Sequence, residues 1–347
     1  MRKPKRPPSA RCTLPMYMGF LISEPKSATC SRLSEVMGIS HDSVNRFLLR
    51  ESYGPEDLFN EAKGLLDLEG GTVSVDDSVL DKPYSWKTEL VGYFWSGKHH
   101  RVVKGLNLIT LYYTDPLGRG LPVNYRVYDP AEGKTKNDYF REMLAEVLAW
   151  GLRPAFATGD SWYSGGDNLK TVRNHRMGSL FGVESNRLVS IGRGAWTQVV
   201  RLDIPGEGLR VWLRGFGEVK LFRTWLKDQP RHYVVFLPDG DAYDAFGAAD
   251  FDRLRACHWG IECYHRTIKQ VCNIERFQVR TKTPILNHVF AALCGYVHLQ
   301  QMRFDDLIRN AYQWRRDLYK EVVAAFISGF MDGKEHLNPQ FKAAVNA

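Results

Sequence analysis

"GTVSVDDS", residues 71–78, is the stretch that decides how this chain folds. A β-branched run follows Gly70 and Gly71 and closes on two acids, Asp76 and Asp77, which reads as a strand delivering carboxylates to its end. Working outward, "GLNLITLYYTD" (105–115) is a second strand, "PLGRG" a turn, and "LPVNYRVYD" (121–129) a third strand pairing back on it. "KNDYFREMLAEVLAWGL" (136–152) has helical apolar spacing and is ended by Gly151 and Pro154. "PAFATGD" is a fourth strand ending at Asp160, "GDNLKTVRNHRMG" a helix closed by Gly178, and "SLFGVES" a fifth strand. The order β-β-β-α-β-α-β predicts an α/β fold with a mixed sheet flanked by helices. Acids that end the strands of such a sheet sit where ligands bind. Taken singly, each is equally an ordinary turn former or helix cap.

Residues 186–250 change texture. "TQVVRLDIP", "LRVWLRGFG", "EVKLFRTW" and "RHYVVFLP" are short strands between Gly and Pro turns, an all-β insertion with Arg201, Arg210, Arg214 and Arg223 facing outward. After it the chain reads as helical to the end, with an apolar helix over 284–301 and one long amphipathic helix over 305–330. Within "HWGIECYHRTIKQ" (258–270) one acid, Glu262, stands on a helical face with Arg255, His258, Arg266 and Lys269. A solvated ion-paired face and a metal-binding acid among phosphate-binding cations both fit that stripe.

At the other end, "CSRLSEVMGISHDSVNRFLLR" (30–50) gives one apolar stripe through Leu33 and Met37, a turn at Gly38, and a second stripe through Val44, Phe47 and Leu48. Ser40 caps the second helix, and His41, Asp42, Asn45 and Arg46 face outward. A helix-turn-helix that reads DNA and a plain helical hairpin share this pattern. The expected divisions are 1–70, a helical DNA-binding region; 71–185, the first part of the α/β core; 186–250, the insertion; and 251–347, the last acid and the closing helices.

Composition narrows the partners. The 347 residues carry a formal net charge of +8 with 44% hydrophobic residues, an ordinary globular balance with a basic excess that favours a polyanion. No apolar run approaches the roughly 18 residues of a membrane span. "MRKPKRPPSAR" is basic without a following apolar segment, so it reads as a phosphate-touching arm of an intracellular protein. The six cysteines form no C-x-x-C and no zinc spacing, which leaves reduced thiols.

The acids and their spacing resemble the DDE transposases of bacterial insertion sequences, which have an RNase H-like core. The likeness is strongest to the cut-and-paste group with a β-strand insertion before the last acid, and it covers roughly residues 70–300. "VDDS" resembles the first motif, D-x-T/S, and assigns Asp76 with Asp77 as the neighbouring alternative. "GDSWY" resembles the second, with Asp160, Trp162 and Tyr163. The third, Y-x₂-R-x₃-E-x₆-K, is matched by Glu262 and Lys269, while Arg255 stands in the Tyr place and His258 in the Arg place.

The resemblance implies that Asp76, Asp160 and Glu262 hold two Mg²⁺ ions, with Mn²⁺ able to substitute, and cut and join DNA strands. His258, Arg266, Lys269 and Arg255 would then hold phosphates. Trp162, Tyr163 and Trp259 would stack bases or, equally, pack in the core. "WSGKHHRVVKG" (95–105), with Lys98, Arg101 and Lys104, reads as a basic DNA-contacting or merely solvated loop. The implied partners are double-stranded DNA, as element ends and target, and a second copy on that DNA. The helix over 305–330 serves as dimer contact or packs on its own core. The implied setting is a prokaryotic cytoplasm, near the nucleoid. A structure-selective nuclease and a lapsed DNA-binding regulator are the competing functions.

Overall fold

The computed structural model describes residues 11–26, 28–192 and 194–331, so the basic arm at 1–10 lies outside the described residues. Four helices come first: α1 (Leu14–Ser23), α2 (Cys30–Met37), α3 (His41–Arg50) and α4 (Pro55–Ala62). Thr13, Thr29 and Ser40 accept a backbone N–H at the starts of α1, α2 and α3, and Gly38 closes α2 in the left-handed region at φ 61°. Leu33, Val44, Phe47 and Leu48 are buried as their spacing predicts. Met37 is exposed instead, because α2 ends there and no further turn covers it.

The strands are β1 (Thr72–Asp81), β2 (Gly92–Ser96), β3 (Arg101–Thr114) and β4 (Gly120–Val127), then, after helix α5 (Lys136–Ala149), β5 (Phe156–Gly159). Helix α6 (Gly166–Asn174) and β6 (Gly178–Val183) follow. Next come β7 (Leu188–Ser190), β8 (Thr197–Gln198), β9 (Leu209–Leu213), β10 (Gly217–Leu226) and β11 (Gln229–Phe236). The described residues end with helices α7 (Ala242–Ala245), α8 (Ala248–Gln270), α9 (Lys282–Phe304), α10 (Ala311–Leu318) and α11 (Lys320–Met331). All eleven strands join one mixed sheet, ordered β2-β3-β1-β5-β6-β11-β10-β9-β7-β8, with β4 on β3. This is the mixed α/β architecture of an RNase H-like core.

Several expectations need correction. β1 does not stop at the acids but runs on to Asp81, because its register with β3 continues through Asp81↔Gly105. Asp76 and Asp77 therefore sit in mid-strand. The stretch 95–105 is not a loop: Trp95 and Ser96 end β2, which pairs with β3 over Gly92↔Gly105 to Ser96↔Arg101, leaving a tight connection at 97–100. "TQVVRLDIP" keeps only two strand residues and then turns through a 3₁₀ segment at Val199–Arg201. The inserted strands do not form a sheet of their own, since β11 pairs with β6 through Val234↔Phe181 and extends the central sheet. The single helix expected over 305–330 is two helices, because Asn310 caps a new start and Tyr319 interrupts the end of α10.

α9 is the axis of the packing. Its Phe290 stacks on Tyr53 at 4.4 Å, and Asn287 donates to the Leu48 and Glu51 carbonyls at the end of α3. His288 bonds the Tyr17 hydroxyl at 2.8 Å. Those contacts hold α1 and α3 against the buried helix. α8, by contrast, lies across β1, which sets up the site.

Candidate active site

β1 and β5 run parallel, and Val75 pairs with Gly159. Asp76 is the next residue along β1, and Asp160 follows the last residue of β5 as the N-cap of a 3₁₀ turn. Paired residues of neighbouring strands share a face, and so do residues two apart. Ser74 and Thr158, two residues before the acids, confirm the sharing with a 2.7 Å hydroxyl contact. α8 covers this face. His258 Nδ1 stands 3.5 Å from the Thr158 hydroxyl, Tyr264 reaches 3.5 Å from Thr110, and His265 Nδ1 lies 3.4 Å from Asp76. Glu262 is one helical turn beyond His258 and opens with it onto a cleft of 850 Å³. Asp160, His258, Trp259 and Glu262 line it together with Trp225 and Arg231 of the β10–β11 hairpin. Asp76 lies under α8 rather than on the cleft wall.

The charges on this face are short of partners. Burial pushes the Asp160 carboxyl up to about 7, with Asp76 and then Asp77 adding to it, against two backbone N–H bonds from Trp162 and Tyr163 that pull it down. Burial followed by Asp76 also raises Glu262, while His265 and Arg266 oppose them. For Asp76, burial works upward too, but the His265 ring, His258 and the Asp77 N–H together hold it below the ordinary carboxylate range. Burial lowers His258 despite the attraction of Asp76. Burial and the neighbouring Asp76 thus bias two of these three carboxyls toward protonation, in a place with little compensating positive charge.

Asp77 points to the opposite face, where it is fully engaged. It accepts from Asn107 at 2.6 Å, from Lys136 at 2.7 Å and from the Tyr163 hydroxyl at 3.1 Å. Of the alternative first acids, Asp76 therefore shares the face of Asp160 and Glu262.

Three carboxylates are the hard oxygen donors that a divalent cation such as Mg²⁺ prefers, and their unshared charge fits such an ion. Among the described residues no three metal-ligating side chains already converge on one point. Asp160 is held by backbone N–H groups and Asp76 by His265, so a chelating arrangement requires these side chains to turn.

The expected DNA-contacting residues scatter more widely. Arg266 is exposed, its guanidinium 5.9 Å from the Trp259 ring, and Trp259 is itself half exposed. Arg255 faces solvent beside Asp252 at 3.1 Å. Trp162 is 62% exposed, with the Lys136 ammonium 5.2 Å from its ring, whereas Tyr163 is wholly buried and belongs to the core. Lys269 is turned onto β1, donating to the Val79 carbonyl at 2.6 Å, with Glu275 at 3.6 Å. Asn45 and Arg46 are on the outer side of α3, bonded to His41 and to the Asp42 carbonyl. Lys98 reaches Asp81 at 3.5 Å, Arg101 is exposed, and Lys104 donates to the Ser85 carbonyl at 2.5 Å.

Three residues that sequence spacing did not assign take part. The His265 Nδ1 lies 3.4 Å from Asp76, and its Nε2 is buried without a hydrogen-bond partner. Lys136 neutralises Asp77. Trp225 lines the same cleft as Glu262. His265 is three residues beyond Glu262 on α8 and is buried against Asp76, whereas Glu262 is exposed to the cleft; the other two depend on long-range packing that no local pattern carries.

A model of the transposase DDE domain matches residues 72–297, roughly two thirds of the chain. No curated protein matches it.

Proposed function

Because the chain belongs to the transposase DDE-domain family, its activity is of the transposase type, and we propose that it binds the ends of a DNA element, cuts the strands there and transfers them to a target. Asp76, Asp160 and Glu262 are the catalytic acids. The observation that carries this reading is the pairing of Val75 with Gly159, which sets Asp76 and Asp160 side by side beneath the helix bearing Glu262.

The three acids would hold two Mg²⁺ ions, with Mn²⁺ able to substitute; when bound, such ions activate the attacking water or 3′-hydroxyl and stabilise the leaving oxygen. The chain's own groups do the rest. Burial raises the Asp160 and Glu262 carboxyls, and a cation held between them would favour their ionised forms. His258 and His265 hold Asp76 ionised and aimed beneath α8. Arg255 and Arg266, on the exposed side of the same helix, bind strand phosphates, and Trp162 and Trp259 offer open rings to a base. Asn45 and Arg46 read the element end. The substrate is double-stranded DNA, taken up by two copies that pair two ends. Among the described residues no helix is long and apolar enough to cross a membrane, and a cytoplasmic protein working at the nucleoid fits this reading.

The test incubates the protein and Mg²⁺ with labelled DNA carrying the element's terminal repeats and a circular target. Wild type should nick the ends and join them to the target, and Asp160→Asn should bind the same DNA yet do neither. Joining by Asp160→Asn at the wild-type rate would refute the assignment. Cleavage without any joining by wild type would instead make the protein a nuclease.

A further inference from the structure

The edge of the sheet at β2 carries a row of exposed aromatic side chains that the catalytic reading leaves unused. Along β2, Phe94 turns inward and meets the Tyr128 ring at 5.7 Å, so Tyr93 and Trp95 turn outward, 73% and 63% exposed. Their partners on β3 are Lys104 and Val102. The Lys104 ammonium lies 5.3 Å from the ring of Trp86, itself 81% exposed, which brings Trp86 to the same patch. β2 ends the sheet order, so its outer edge has no strand beside it. An aromatic edge left bare would invite aggregation.

Register places this patch relative to the acids. Asp76 pairs with Thr110 on β3, and the even-numbered residues from Thr110 to Val102 share one face. Tyr93 and Trp95 pair with Lys104 and Val102, so they too lie on the face that carries Asp76 and α8. Eight residues of strand separate Thr110 from Val102, roughly 25 Å at about 3.3 Å per residue. A stacked strand advances about 3.4 Å per nucleotide and an extended unpaired one up to roughly twice that, so roughly four to seven nucleotides cover the distance.

We propose that the Trp86–Tyr93–Trp95 patch is a stacking platform for unpaired bases of a DNA strand that leads away from the catalytic acids. The chemistry of the patch selects this occupant. Flat, sequence-indifferent rings interleaved with cations are what single-stranded nucleic acid requires. Lys98, Arg101 and Lys104 flank the rings, and Asp81 nearby is already met by Lys98 and by His99 at 2.8 Å. A second copy of the chain placed on a two-fold axis here would set these cations against their own copies, which disfavours self-association.

The proposal rests on the DNA reading above, and the test separates the two. Binding is measured by fluorescence anisotropy in EDTA, with a blunt duplex and with the same duplex bearing an unpaired oligothymidine arm of about ten nucleotides, longer than the spacing demands. Wild type should bind the armed duplex at least tenfold more tightly than the blunt one. An arm of about two nucleotides, too short to reach the rings even when extended, should add nothing. Trp86→Ala with Trp95→Ala should remove the gain, about tenfold or more for each ring, while blunt-duplex binding stays as it was. Trp95→Phe, which keeps a ring, should retain most of it, and circular dichroism should show all variants folded. An arm gain that persists in the double alanine variant overturns the proposal. So does a double variant whose one change is loss of a dimer seen by light scattering. Equal wild-type binding of armed and blunt DNA sinks the platform alone, whereas binding of neither sinks the DNA reading with it.

Discussion

Adjacent acids on one strand have opposite circumstances. Asp77 looks toward α5, where a lysine, an amide and a phenol satisfy its oxygens. Asp76 looks toward α8, where its nearest basic groups are the His258 and His265 rings and where Asp160 and Glu262 are both pushed upward in its presence. The strand's two-residue period makes the separation. One face is electrostatically closed, as a structural ion pair is; the other is left short of positive charge, as a cation-binding site is. Identity and chain position alone do not tell such acids apart.

The sharpest way to break this comparison is to remove each acid in turn. Asp76→Asn, Asp160→Asn and Glu262→Gln should each lower Mg²⁺-dependent strand cleavage by more than roughly a hundredfold, since even outer partners of metal ligands cost 10–100-fold. All three variants should stay folded, and duplex binding should change little. A gel assay of cleavage beside an anisotropy titration checks both. If Asp77→Asn were the inactive variant and Asp76→Asn active, the faces would have been assigned the wrong way round.

The next effect falls on stability. Asp77→Ala leaves the Lys136 ammonium, whose side chain is 18% exposed, without its carboxylate. Breaking such a pair costs about 3 kcal/mol, read as a lower urea midpoint. Cleavage per folded molecule should stay within a few-fold of wild type. Removing both partners in Asp77→Ala/Lys136→Met should recover part of the loss, because no uncompensated charge then remains.

Much of this was legible in the sequence. The β-branched run at 72–75, the Gly38 turn and the helical stripe around Glu262 are local patterns, and the structure has a strand, a turn and a helix there. The family resemblance, the mixed sheet and the run of short strands after residue 186 were read correctly. Pairing between distant segments was not legible. Nothing near Asp76 says that β1 continues to Asp81; that follows from β3 running beside it. The basic composition of 95–105 disguised a hairpin, because Trp95 and Val102 are exposed and the inward–outward alternation shows weakly there. Tyr163 looked like a stacking residue by its place beside Asp160, yet its hydroxyl is bound to an acid on the far face.

A smaller effect comes from pH. The Asp160 carboxyl is raised from 3.8 to about 7 in the folded chain. The native state therefore holds a proton that the unfolded state releases, and stability falls as pH rises from about 4 to about 7. Asp160→Asn mimics the protonated form. Its Tm should exceed that of wild type by a few degrees at pH 8, and the difference should vanish by about pH 4. Scanning calorimetry in EDTA measures this, and Mg²⁺ should raise the Tm of wild type alone. A pH-independent difference would mean that Asp160 is not crowded by charge.

The smallest expected effect concerns Lys269, which the helical spacing sets two turns beyond Glu262. Its ammonium is not directed at the cleft: it donates to the Val79 carbonyl and lies by Glu275, and burial lowers its pKa. In this respect it resembles Lys136, a cation used within the fold. Lys269→Ala should therefore destabilise the chain modestly, by about 1 kcal/mol for the lost charged hydrogen bond, and should leave the slope of log K against log salt unchanged for duplex DNA. Arg266→Ala, one turn back and exposed, should lower that slope by about one phosphate contact. If Lys269→Ala lowered the slope as much as Arg266→Ala, its ammonium would have left Val79 for a phosphate on DNA binding, and the closed side of the comparison would reach less far along α8 than the free structure implies.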